Sequence, residues 1–114
     1  YRFTYSGATG RAKYVGTQTM IMKVDAGLNF KWTSGGVSET IVKLWKKYGG
    51  TSTLLQEVYV EPSTGGYWQN VDLSRVLYVS PGDEYYVTVT GDAARTVRVR
   101  GYMNIIPITI IIAE

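Results

Sequence analysis

The sequence contains neither cysteine nor histidine. Without Cys there is no disulfide, no iron–sulfur cluster and no thiol nucleophile. Without His the usual general base, the commonest zinc ligand and every Ser-His pair are gone. Asp83 and Glu84 are adjacent, so on a strand they point to opposite faces and cannot act together on one substrate. No G-x-S-x-G, phosphate-binding G-x-x-x-x-G-K or G-x-G-x-x-G motif occurs. The residues therefore predict a protein that is not an enzyme, with no catalytic residues and no cofactor.

Metal-binding signals are equally sparse. Asp25, Asp72, Asp83, Glu84 and Asp92 lie near turn signals, but none sits in a D-x-D-x-D-G loop. Asp and Gly near turns are ordinary turn chemistry, so no metal ligand is assigned. The most apolar stretch, Ile105 to Ala113, is interrupted by Pro107 and Thr109. A membrane-spanning helix needs about 20 apolar residues, so no span of that kind is expected. A start at Tyr1 rather than Met fits either removal of a secretory leader or a sequence trimmed of its upstream part.

Charge is mild: 12 basic and 9 acidic residues give a net +3. The basic residues are scattered apart from Lys43, Lys46 and Lys47, and from Arg95, Arg98 and Arg100. Arg98 and Arg100 beside Tyr102 resemble the basic, aromatic face of a single-strand-binding barrel. The same pattern suits a solvated strand face, and nucleic acid is the least favoured partner.

What the sequence has in excess is strand-forming residues. Val, Ile, Thr and the aromatics make up 49 of its 114 residues. Turn signals recur at intervals of 10 to 16 residues: Gly35-Gly36, Gly49-Gly50, Gly65-Gly66, Ser80-Pro81-Gly82 and Gly91-Asp92. That rhythm suits consecutive strands of a sandwich or barrel. Between the signals the residues alternate. Leu28, Phe30 and Trp32 share one face against Asn29, Lys31 and Thr33, and Met20, Met22 and Val24 form another such strand. Tyr85, Val87 and Val89 alternate with Tyr86, Thr88 and Thr90; Val97, Val99 and Met103 alternate with Arg98, Arg100 and Tyr102. The short Gly91 to Ala94 link between the last two predicts an antiparallel hairpin.

One segment reads two ways. Ile41, Leu44, Trp45 and Tyr48 have helical spacing, with Gly49 as a stop. The β-branched run Thr40-Ile41-Val42 disfavours a helix, and a lone helix would conflict with the surrounding pattern. A hairpin of Thr40–Tyr48 with the following Thr53–Val60 is favoured. The expected fold is a single all-β domain spanning residues 1–114: an antiparallel β-sandwich, jelly-roll or Ig-like, of seven to nine strands.

The C-terminus stands apart. Ile105, Ile106, Ile108, Ile110, Ile111 and Ile112 are six of the eight Ile residues, and they do not alternate. A strand apolar on both faces needs cover on both faces. Residues 105–114 are therefore expected as an apolar terminal strand, held either within the protein's own core or against a neighbouring copy. On an open edge it would invite pairing with another chain. Pro107 suits a strand's beginning or its unpaired side.

The stretches T-I-V-K-L-W-K-K-Y-G-G-T-S-T-L-L-Q-E-V-Y-V (Thr40 to Val60) and Y-V-S-P-G-D-E-Y-Y-V-T-V-T-G (Tyr78 to Gly91) resemble hairpins of secreted bacterial β-sandwich modules such as pre-peptidase C-terminal domains. The resemblance implies an extracellular or cell-surface setting and a non-catalytic role, and carries over no site residue. The terminal Ile run departs from that pattern.

These features predict a structural subunit that self-assembles into an oligomer or filament through β-strand contacts, with the six terminal Ile residues as subunit contacts. The alternatives are a carbohydrate- or surface-binding module, a virion decoration or tail component, and a nucleic-acid-binding barrel. For the carbohydrate reading, Tyr67, Trp68 and Trp45 are the candidate ligand residues of an aromatic platform, while alternation places Trp32 in the core with Leu28 and Phe30.

Overall fold

The computed structural model describes residues 3–6, 11–32, 39–61, 67–91 and 96–108. Among these residues the protein is all strand and turn, in the order β1 (Phe3–Ser6), β2 (Arg11–Tyr14), β3 (Met20–Trp32), β4 (Thr40–Tyr48), β5 (Thr51–Val60), β6 (Gln69–Val79), β7 (Glu84–Gly91) and β8 (Val97–Pro107). They form two antiparallel sheets, β1-β2-β7-β4-β5 and β6-β3-β8. Eight strands in a two-sheet sandwich match the expected fold.

The strand order is that of a jelly roll with one departure. A jelly roll pairs its eight strands as one long hairpin that is then rolled up: 1 with 8, 2 with 7, 3 with 6, 4 with 5. Here β2 pairs β7, β3 pairs β6 and β4 pairs β5. The remaining pair is absent among the described residues. β1 lies on β2 instead, and β8 pairs with β3 alone.

β3 organises the core. Met22, Val24, Ala26, Leu28, Phe30 and Trp32 alternate along it and are all buried, each large one contributing roughly 1.5–3 kcal/mol relative to exposure. A register slip of one residue would turn this whole row to solvent. Val42 and Leu44 of β4 meet the row from the opposite sheet, and Val71 and Leu73 of β6 flank it. Tyr14, Val79 and Tyr85 close one end of the core. A hydrogen bond pins the sheets together: Trp32 Nε1–H donates to Thr40 Oγ1 at 2.9 Å, both residues buried.

Turn chemistry follows the glycines. Gly49 and Gly50, at φ 57° and 86°, close β4 onto β5 in a two-residue turn that suits strand twist and disfavours side chains. The β4–β5 hairpin is therefore observed in place of the helical alternative. A bulge follows, because Leu44 pairs with Gln56 while Trp45 pairs with Leu54, leaving Leu55 over. The Leu55 carbonyl accepts from Arg75 Nη1 at 2.6 Å, and the Ser74 amide donates to Gln56 Oε1 at 3.1 Å. These bonds tie β5 to β6 and close that side of the sandwich. At the β6–β7 turn, Asp83 is buried, accepts from the Ser80 amide at 2.8 Å and lies 3.4 Å from Lys46 Nζ.

Three expectations are corrected. β7 and β8 are not a hairpin: they lie in different sheets, so the link between them crosses the sandwich. Alternation fixes which face of a strand is apolar, not which neighbour it takes. The two short strands expected around Met20–Val24 and Leu28–Thr33 are one strand of 13 residues, which places Asp25 in mid-strand. Asp72 likewise lies within β6. Finally, Ile105, Ile106 and Pro107 are the end of a strand that begins at Val97; residues 109–114 of the expected terminal strand lie outside the described residues.

Two outcomes follow for stability. Thr40→Val keeps the shape but leaves the Trp32 indole N–H without its partner, and should cost about 1–3 kcal/mol in urea unfolding. Burial, then the Asp83 charge and the hydrogen bond to it, raise the Tyr85 phenol well above its ordinary value. Below about pH 10 the phenol is protonated whether folded or unfolded, so stability is unaffected there. Above it the unfolded chain loses the proton while the folded protein keeps it, so this residue makes stability fall by about 1.4 kcal/mol per pH unit. Urea midpoints of Tyr85→Phe should decline less steeply than wild type in alkaline solution.

Candidate functional site

The outer edge of β8 is the most distinctive feature. The Ile108 amide donates to the Ile21 carbonyl at 3.0 Å, and β8 runs antiparallel to β3 with Met22 opposite Pro107. In an antiparallel ladder inward and outward bonding alternate. The even-numbered residues of β8 therefore bond to β3, while the amides of Val99, Gly101, Met103 and Ile105 point away from it. Pro107 falls in this outward row, so its missing N–H removes no bond to β3.

Beneath that edge lies a cleft between the two sheets. Val99 and Met103 of β8 face Tyr5 of β1, Ala12 of β2 and Val87 of β7 across a volume of about 480 Å³. A neighbouring cleft of about 610 Å³ continues past Phe3, Ile105 and Ile106. Among the described residues no strand takes the jelly-roll slot of β1 against β8, and apolar side chains border that slot. β1 and β2 were not read as strands in the sequence. The alternation in Phe3-Thr4-Tyr5 and Ala12-Lys13-Tyr14 is the signal that would have found them.

The terminal isoleucines divide between the faces. Ile105 is half-buried and packs against the core. Ile106 points outward and is 52% exposed, in an apolar corner with Val76 and Tyr78, which are 57% and 67% exposed. The register sets Val76 and Ile106 on either side of Lys23, and Tyr78 and Ile108 on either side of Ile21. Ile108 is half-buried. Ile110, Ile111 and Ile112 lie outside the described residues.

The aromatic candidates do not come together. Trp32 is in the core. Trp45 lies on the outer face of the five-stranded sheet, stacked on Tyr86 at 6.2 Å, with its indole N–H donating to Thr88 Oγ1 at 2.9 Å. Arg11 covers Tyr86 at 4.9 Å and Lys43 approaches Trp45 at 5.7 Å, so this face is a self-contained network. Trp68 lies on the opposite side of the sandwich, beside Lys31 and Arg100 of the three-stranded sheet. Tyr67, next to it in the chain, is 67% exposed. A single platform of Tyr67, Trp68 and Trp45 is therefore not formed, because alternation gives each residue a face but not a sheet.

Among the described residues no cluster of acidic side chains has the makings of a metal site, and no helix is long and apolar enough to cross a membrane. No protein-family profile matches the chain, and a search of curated proteins finds no significant match.

Proposed function

We propose that the protein is a non-catalytic structural subunit that self-assembles by strand addition, a terminal strand of one copy completing the sheet of the next along β8. The observation that carries this reading is that, among the described residues, no strand pairs with the outer side of β8, where a jelly roll places its first strand. The outward amides of β8 offer main-chain bonds to an added strand, each worth a net 0.5–1.5 kcal/mol or so. Every second side chain of that strand would enter the cleft beside Tyr5, Val99 and Met103. The chain carries an apolar run suited to a donor strand in Ile110, Ile111 and Ile112. A donor and an acceptor at different places on the same molecule make a head-to-tail contact, which grows rather than closes unless the rotation forms a ring. The resemblance to secreted sandwich modules adds an extracellular or cell-surface setting to the proposal.

Light scattering on the purified protein tests this. Wild type should form larger species as concentration rises. Val99→Lys, at a position 47% exposed, places a charge in the slot and should remain monomeric, with its unfolding midpoint within about 0.5 kcal/mol of wild type. A wild type that stays monomeric at every concentration, or a Val99→Lys variant that assembles like it, would refute the proposal.

A further inference from the structure

The outer face of the three-stranded sheet carries a second site, and we propose that it binds an acidic saccharide, one whose sugar rings bear carboxylates. The register across β6, β3 and β8 sets three successive rows there. Asp72, Gly27 and Tyr102 form the first, and Asn70, Asn29 and Arg100 the second. Lys31 and Arg98 form the third, with Trp68 beside them. Strands are spaced about 4.8 Å apart and like-facing rows about 6.7 Å, so the whole array has the footprint of a short oligosaccharide.

Each row does different chemistry. Gly27 leaves room for the Tyr102 ring: a Cβ at that position would lie 2.4 Å from Tyr102 Cε1 and 2.5 Å from Cζ. The ring therefore lies over the β3 backbone, and Tyr102 is 61% exposed, so it offers a flat apolar surface of the kind on which a pyranose ring stacks. Asn29, Asn70 and Asp72 line a cleft of about 480 Å³ with Tyr102 and Arg100, within the size range of small-molecule sites. No hydrogen bond or ion pair of the side chains of Asn29, Asn70 or Asp72 is found with another described residue. The two amides can thus accept from and donate to ring hydroxyls, and the carboxylate can accept from them.

Charge selects the class of sugar. Arg100 stacks on Trp68 at 3.9 Å, with Lys31 at 5.7 Å from the same ring, and Arg98 lies opposite Lys31. Three cations against the single Asp72 make the array net positive and complementary to carboxylates. A nucleic acid would also meet cations and aromatics here. Asp72, which lines the cleft, disfavours any anionic group seated against it, but the hydroxyls of a saccharide can donate to that carboxylate while its own carboxylates lie against Lys31, Arg98 and Arg100. Tyr102, 61% exposed against 39% for Trp68, is the more open stacking surface.

Isothermal titration calorimetry with a galacturonate hexamer, a neutral glucose hexamer and oligothymidylate tests the assignment. The acidic hexamer should bind, and the neutral one should bind about tenfold or more weakly. Tyr102→Ala should weaken the acidic hexamer by about tenfold and Tyr102→Phe should not. Gly27→Ala, by displacing the ring, should act like Tyr102→Ala. Should either variant fail to fold, Arg98→Ala at an exposed position gives the same reading through loss of the preference for the acidic hexamer. Absence of binding by the acidic hexamer, equal affinity for the neutral one, indifference to these substitutions, or tighter binding of oligothymidylate would each overturn the proposal.

Discussion

A strand paired on one side only leaves every second amide and carbonyl without a partner, and a sandwich of two open sheets has four such edges. In this protein the edges are β1, β5, β6 and β8. Three are blunted in recognisable ways. β1 is four residues long. β5 carries the bulge at Leu55, whose carbonyl is taken by Arg75. β6 has its Ser74 amide engaged by Gln56. β8, with 11 residues, has Pro107 only at its end. Among the described residues no strand covers β8 where the jelly-roll order would have supplied one, and the edge carries Arg98 and Arg100.

The core does not depend on filling that slot. The buried row of β3 meets β4 and β6, and the Trp32–Thr40 bond joins the two sheets. Asp83 fixes the β6–β7 turn from within. The side chains around the slot are less covered: Val99 is nearly half exposed and Ile105 only half-buried. In the proposed assembly, an added strand would stabilise a domain whose core row is already buried without it. The same edge strand turns Arg98, Arg100 and Tyr102 to the outer face, so its two faces and its edge carry separate roles in this account.

Much of the fold was legible because alternation is a local signal. Leu28, Phe30 and Trp32 announce a buried face, and Gly49-Gly50 announces the hairpin that follows. Pairing is not local, and there the sequence misled. The short link between β7 and β8 suggested a hairpin, yet those strands lie in different sheets and face each other across the core. Asp25-Ala26-Gly27 looked like an interruption of β3, because small and acidic residues favour turns when nothing else acts on them. In the fold, Gly27 is small because Tyr102 lies on it, a reason held 75 residues away. The candidate sites suffered most. The rows Asp72–Gly27–Tyr102 and Asn70–Asn29–Arg100 exist only across strands, and the absence of β1 beside β8 shows only once β1 is known to lie on β2.

The central claim concerns the outward row of β8 amides, and residue-resolved hydrogen exchange at increasing protein concentration reads it directly. The account predicts fast exchange at Val99, Gly101, Met103 and Ile105 in dilute solution and growing protection as concentration rises, while the inward amides of Arg100, Tyr102 and Asn104 stay protected throughout. Outward amides that are equally slow, or equally fast, at every concentration would contradict it.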